Sequence, residues 1–338
     1  MSRRHRSAVC AGTLLIISIL LFGYDRYMQE RNRELSIIYI PKVEDEDNQF
    51  WSTLLAGARL AADEKNISLT IAAPKSEQDY EGQNALILWA IEQQPDAILL
   101  SPCDYEENLT AARLVGESKI PLVFVDSGVK EELGDCMVAT DNFIAGVRMG
   151  ELAKEKLTAD TQIAIVSHIK NSTTAVERME GIRYALGDDA AQIAEIVYCD
   201  SDYGRAEELT EEILAAHPEI GLIIGTNEYA AVGAARAVKR MGKGEEITMI
   251  GFDNSVEQVQ FLEEGILDGI VIQKSFNMGY LAVEQAAAIA RGEPYQAHID
   301  SGSVTITREN MQKPENQKLL FPFIQKQYQQ EGRKGGGE

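Results

Sequence analysis

Cysteine, histidine and basic residues are all scarce in this chain of 338 residues. The cysteines are Cys10, Cys103, Cys136 and Cys199, and no two of them form a C-x-x-C pair. That excludes zinc ribbons and thioredoxin-like redox chemistry. Cys103, Cys136 and Cys199 are expected as buried free thiols, with a Cys103–Cys136 disulfide as the alternative. His5, His168, His217 and His298 are scattered, so no H-E-x-x-H zinc helix exists. The G-x-x-x-x-G-K-[ST] phosphate loop and the G-x-S-x-G nucleophile elbow are also missing. The glycines of GLIIGTNEYAAVG and MGKGEE are wrongly spaced for a G-x-G-x-x-G dinucleotide turn. Nothing joins a nucleophile, a base and an orienting group. A catalyst is not expected, nor a cofactor or a metal.

Positive charge is short as well: 32 Lys and Arg face 53 Asp and Glu, a net charge of −21. Nucleic acid and anionic lipid both require basic patches, so no nucleic-acid partner is expected. A neutral or polar small ligand fits this balance, and solubility alone would also account for it. No Gly/Ser/Pro-rich linker divides the chain.

What is present begins with an export signal. MSRRHR supplies a basic start, and the run from Ala8 to Tyr24 carries no charge. Residues 1–24 therefore read as an uncleaved signal anchor or a cleaved signal peptide, placing the remainder outside the cytoplasm. Cys10 stands at the start of this run and not after it, which argues against lipid attachment.

From Ser36 onward, short apolar runs alternate with amphipathic stretches. SIIYI, DAILL, PLVFV, QIAIVS, GLIIG and GIVIQ are among ten runs that suit strands covered on both faces. Between them, FWSTLLAGARLAADEKN puts Leu54, Ala58, Ala61 and Ala62 on one stripe. Such alternation predicts an α/β fold with parallel sheets. Ten strands are too many for one compact sheet, so two doubly wound lobes are expected. The chain should cross between them at ATDN (139–142), QKSF (273–276) and SGSV (301–304), forming a three-strand hinge. The lobes are then residues 35–141 plus 274–302, and 142–273 plus 303–328. Residues 329–338 are expected to be a disordered tail, and the knot LLFPFI should dock on a lobe.

Ligands of open α/β sheets bind beyond the carboxyl ends of the strands. The segments there are rich in Asp, Asn, Gln and aromatics, and include VDSG, TDN, CDSDYGR, GTNEYA and GFDNS. Amides and carboxylates pair with vicinal hydroxyls, and aromatic faces cover sugar C–H faces. The first strand leads into IPKVEDEDNQFW, whose acids lack the glycine and distant glutamate of a calcium loop.

In order, NQFW, VDS, TDN, ERMEG, TNE, GFD and the Gln before MG resemble the type I periplasmic sugar-binding proteins, close to ribose-type receptors of ABC transporters. The resemblance spans roughly Ile37 to Thr307. It implies two lobes closing on one sugar or polyol, with a monomeric chain and an ABC permease as partner. It also implies that Asn48, Phe50 and Trp51 contact ligand, that Asp126 is the first-lobe carboxylate, and that Tyr203 stacks from the second lobe. Asn227, Asp253 and Gln273 match the second-lobe polar trio. Where such receptors carry Arg, this chain has Ser127 and Val176, while Arg178 remains. Lys42 is a candidate replacement donor for a more oxidised, acceptor-rich ligand. Each position also has a structural reading: Phe50 and Trp51 as helix-start core, Asp253 and Asn227 as helix caps. Glu44 to Asp47 are expected as a solvated lip. A membrane-anchored sensor serving a histidine kinase or chemoreceptor is the alternative output. A repressor would need an N-terminal DNA-binding motif where the hydrophobic segment stands.

Overall fold

The computed structural model describes residues 33–321. The export segment and the predicted tail at 329–338 lie outside the described residues. The first half of the chain forms β1 (Leu35–Ile40), α1 (Gln49–Lys65), β2 (Ile67–Ile71), α2 (Tyr80–Glu92), β3 (Ala97–Leu100), α3 (Leu109–Glu117), β4 (Leu122–Val125) and β5 (Cys136–Ala139). Next come α4 (Asn142–Lys154), β6 (Gln162–Ser167), α5 (Thr173–Leu186), β7 (Ile193–Tyr198), α6 (Tyr203–Ala216), β8 (Ile220–Gly225), α7 (Glu228–Arg240), β9 (Thr248–Phe252), α8 (Val256–Glu264) and β10 (Gly269–Gln273). The chain closes with α9 (Ser275–Ala290), β11 (His298–Asp300), β12 (Ser303–Thr307) and α10 (Pro314–Leu320).

These strands make two sheets, ordered β11-β5-β4-β3-β1-β2 and β12-β10-β9-β8-β6-β7. The second order repeats the first, with β6–β10 standing where β1–β5 stand. Both sheets are parallel except at one edge, where β12 runs antiparallel to β10. The unbroken apolar runs are explained by burial on both faces. Along β1, Ile37 and Tyr39 join the core under α1 and α9, while Ile38 and Ile40 join the core on the opposite face. β11 and β12 were not evident as apolar runs, because one is three residues long with exposed ends and the other is mostly half-buried edge.

Each lobe is completed by a helix that arrives from the other. α9 follows β10 yet packs on α1, and α4 follows β5 yet packs on α5. Glycines set both approaches. A Cβ on Gly279 would lie 2.0 Å from the Leu54 carbonyl oxygen, and one on Gly146 would lie 2.2 Å from that of Arg178.

The three crossings lie side by side. Thr140 Oγ1 donates to Gln273 Oε1 at 2.9 Å and sits 3.1 Å from Ser301 Oγ. The Asp141 N–H donates to Asp300 at 3.0 Å, and the Asp141 carboxylate caps α4 by accepting from the Ile144 N–H. Leu320 is buried in the second-lobe core, and its carbonyl accepts from Asn254, so the start of the apolar knot docks there.

Candidate functional site

Helix starts and strand ends from both lobes converge on one cavity of about 290 Å³, counting its opening. Lys42, Asn48, Phe50, Trp51, Glu77 and Asp126 line it from the first lobe, and His168, Thr174, Arg178, Asn227, Glu228, Tyr229, Asp253 and Gln273 from the second. Every sequence-predicted ligand residue except Ser127 and Tyr203 is in this wall. Ser127 instead donates to the Pro102 carbonyl, holding the loop behind Asp126. Tyr203 lies at the rim, packed against Tyr229 with ring centres 4.6 Å apart.

The two aspartates occupy equivalent places, Asp126 after β4 and Asp253 after β9. Each has a φ of +68°, a region that short polar side chains such as Asp enter more readily than most. Each backbone N–H still bonds the next strand, to Val138 and Val271 respectively. Lys42 Nζ donates to Asp126 at 2.8 Å, and both side chains are almost fully buried. Asp253 accepts from Gln273 Nε2 at 2.7 Å and from the Glu228 N–H at 3.1 Å. Burial pushes the Asp253 carboxyl up to about 6, against the pull of Arg178. Asp253 does not cap its own following helix, since Ser255 does so for α8.

Both asparagines have two roles. Asn48 Oδ1 caps α1 through the Trp51 N–H, and Asn227 Oδ1 caps α7 through the Ala230 N–H. Capping uses the oxygen and leaves each amide NH₂ as a donor. Asn48 Nδ2 lies 3.4 Å from Tyr203 Oη.

Arg178 is anchored on one side only. Its Nε donates to Asn142 and its Nη1 to the Thr226 carbonyl, with the guanidinium 3.7 Å over the Phe252 ring. Burial opposes its charge, while Asp253 and Asp126 favour it. Val176, by contrast, is exposed on the surface. His168 bonds Thr226 and Thr174 through its two ring nitrogens. Burial, with Arg178 and Lys42 nearby, holds its pKa well below the ordinary value and keeps the imidazole neutral.

The lobes are closed on one another. Glu228, at the first position of α7, accepts from the Gln49 and Phe50 N–H groups at 3.0 Å, the first turn of α1 in the opposite lobe. It also accepts from Tyr203 Oη at 2.8 Å. Tyr229 Oη donates to Asp45 at 2.6 Å. Asp45 is therefore not only part of a solvated lip. It accepts from the Asp47 and Asn48 N–H groups too, which turns its second oxygen toward the other lobe. Glu44, paired with Arg59, and Asp47 remain exposed as expected.

Glu77, Glu228, Tyr229, His168 and Thr174 were not selected from sequence. Glu228 directly follows Asn227 in the TNE motif. Glu77 stands in the loop after β2, the strand end left out of that reading. Its carboxylate accepts from Trp51 Nε1 at 2.6 Å and from Ser201 Oγ at 2.5 Å. The three later cysteines are free and buried, so the disulfide alternative is not formed. Among the described residues, no three acidic, histidine or cysteine side chains are grouped to hold a metal ion.

A double lobe of this topology, with its polar cavity at the strand ends of both sheets, has the architecture of a solute receptor. The chain belongs to the periplasmic binding protein domain family, whose sequence pattern matches residues 37–294. Its relatives include the ribose import binding protein RbsB of Haemophilus influenzae, 27% identical over 253 residues and covering 75% of this chain and 85% of that one. A crystal structure of a sugar transporter from Clostridium phytofermentans is 42% identical with a TM-score of 0.77, covering 81% of this chain and 99% of that one. An ABC transporter solute-binding protein from Agrobacterium vitis, solved with D-fucose, is 28% identical with a TM-score of 0.78, over 84% of this chain and 99% of that one.

Proposed function

We propose that this protein is an extracytoplasmic receptor that captures a sugar or sugar-like polyol between its lobes and presents it to an ABC permease. The observation carrying this reading is the cavity wall. Asp126, Asn227, Asp253, Gln273 and Arg178 offer donors and acceptors from opposite sides, with Phe50 and Trp51 beside them. Such a set satisfies many hydroxyls at once and covers a ring face. It contains no nucleophile activated by a base, which suits binding rather than turnover.

The three adjacent crossings serve as the hinge. Ligand bridging both lobes favours the closed form by as much as it binds that form more tightly. The relatives named for import favour permease delivery over a sensor partner. Residues 1–24 would hold the receptor at the membrane or direct its export.

The test is calorimetry of the full-length protein against pentoses, hexoses, cyclitols and their derivatives, repeated with Asn227→Ala and Asp253→Ala. Each substitution strands a hydroxyl partner in a buried site, at about 1–3 kcal/mol. Affinity should fall by roughly tenfold or more in each variant. Unchanged affinity in the double variant would remove the site assignment.

A further inference from the structure

The charges around the cavity do not cancel. Lys42 and Arg178 are its only cations, while Asp126, Asp253, Glu77 and Glu228 are its carboxylates. Lys42 is spent on Asp126, and Arg178 lies first within the field of Asp253 and Asp126, with Glu77 the weakest of the carboxylates acting on it. His168 stays neutral for the reasons above. Glu77 and Glu228 remain, 6% and 1% exposed, and neither forms an ion pair with a described residue.

Their hydrogen bonds come from neutral donors. Glu228 receives the first N–H groups of α1, where the helix end offsets about half a charge. Glu77 has only the indole N–H of Trp51 and the hydroxyl of Ser201. Neutral donors satisfy lone pairs but do not remove net charge, and burying an uncompensated charge is costly. Burial pushes Glu228 up to about 8, so it holds its proton near neutral pH and Glu77 is left as the carboxylate without a counter-charge.

A second feature lies in the same wall. Phe50, Trp51 and Tyr229 line the cavity, and their rings attract cations. The bond from Trp51 Nε1 to Glu77 draws that proton toward a carboxylate and enriches the indole face in electron density. An acceptor-rich sugar acid would add another negative charge to this surplus, and Lys42 is not free to receive it.

We propose that the preferred ligand is a polyol bearing an ammonium group, an amino sugar or aminocyclitol, with its nitrogen on the Glu77–Trp51 side of the cavity. The inference rests on the cavity being the sugar site proposed above. A neutral hydroxyl would leave Glu77 without a counter-charge, whereas an ammonium supplies both the charge and three donors.

Matched triplets decide the matter by calorimetry on the full-length protein: D-glucose, D-glucosamine and N-acetyl-D-glucosamine; the galactose equivalents; and inositol with an inosamine. A charge-assisted bond exceeds a neutral one by enough to give about a tenfold preference for the amine over both its parent and its acetylated form. Glu77→Gln keeps the Trp51 and Ser201 partners within reach and should abolish that preference. If Glu77→Gln does not fold, the wild-type triplets still decide. A parent sugar that binds as tightly as its amine overturns the inference and leaves the sugar reading standing. Binding of none of the triplets together with a neutral sugar bound in the wider screen overturns the inference alone, and binding of nothing in either set overturns both. A full preference retained in Glu77→Gln overturns the placement of the nitrogen.

Discussion

Tyr229→Phe should weaken ligand binding by roughly tenfold while leaving the fold intact. The substitution removes one hydroxyl, which donates across the cleft to Asp45 at 2.6 Å. The ring stays in the cavity wall. A hydrogen bond to a charged acceptor contributes about 1.5–3 kcal/mol, and Asp45 is only half-buried, so the lower end applies. About 1.4 kcal/mol corresponds to a factor of ten in affinity. Because the bond exists only when the lobes meet, the loss should appear mainly in the dissociation rate. Stopped-flow fluorescence can follow it through Trp51, which lines the cavity. Asp45→Ala provides the partner for a double-mutant cycle, since it leaves Tyr229 Oη without an acceptor, whereas Asn would donate its NH₂ to that hydroxyl. The double variant should cost little more than Asp45→Ala alone. Additive effects, or a dissociation rate unchanged in Tyr229→Phe, would refute the latch.

Two further outcomes are expected. Burial raises Glu228 from the ordinary 4.5 to about 8 and Asp253 from 3.8 to about 6, so the folded protein holds these protons more tightly than the unfolded chain. Their contribution is full below the unfolded values and is lost as pH rises through the folded ones. With ligand holding the lobes closed, the melting temperature should fall between pH 5 and pH 8, with Glu228→Gln flattening the upper part; a rising curve there would contradict the assignment. Gly279→Val should lower the melting temperature by several degrees, because its Cβ would meet the Leu54 carbonyl at 2.0 Å and force α1 and α9 apart, at about 1–3 kcal/mol or more. Gly116→Ala is the control, since nothing lies within 4 Å of its added carbon.

Much of the architecture was legible because its physical signals are local. A strand buried on both faces must be apolar throughout, so central strands such as β3, β4, β8 and β10 stand out as uninterrupted runs. The edge strands β2, β7, β11 and β12 bury less. β2 and β7 still keep enough isoleucine, leucine and valine to be read, whereas β11 is three residues long and β12 alternates with serine and threonine. Among cavity-lining residues, those at strand ends with a neighbouring helix start were legible, since Asn48 and Asn227 also supply caps. Glu77 was missed because its importance depends on Trp51 and Ser201, which are distant in sequence and meet it only after folding. Asp45 showed the opposite difficulty. Its acidic neighbours marked a solvated loop, and only the position of Tyr229 in the other lobe distinguishes it from them. Tyr203 was expected to stack on ligand; its hydroxyl donates to Glu228 within the second lobe and lies 3.4 Å from Asn48 Nδ2 of the first.

The exchange of helices between lobes also bears on the order in which the protein can be made. As the chain emerges from its amino end, β1 to β5 appear early, but the first lobe still lacks α9 and β11. Until residues 275–300 follow, the stripe on α1 that α9 will cover has no partner. The second lobe must therefore be largely synthesised before the first can finish. Delayed completion of this kind keeps the chain open and unpacked for longer than its early strands alone would suggest.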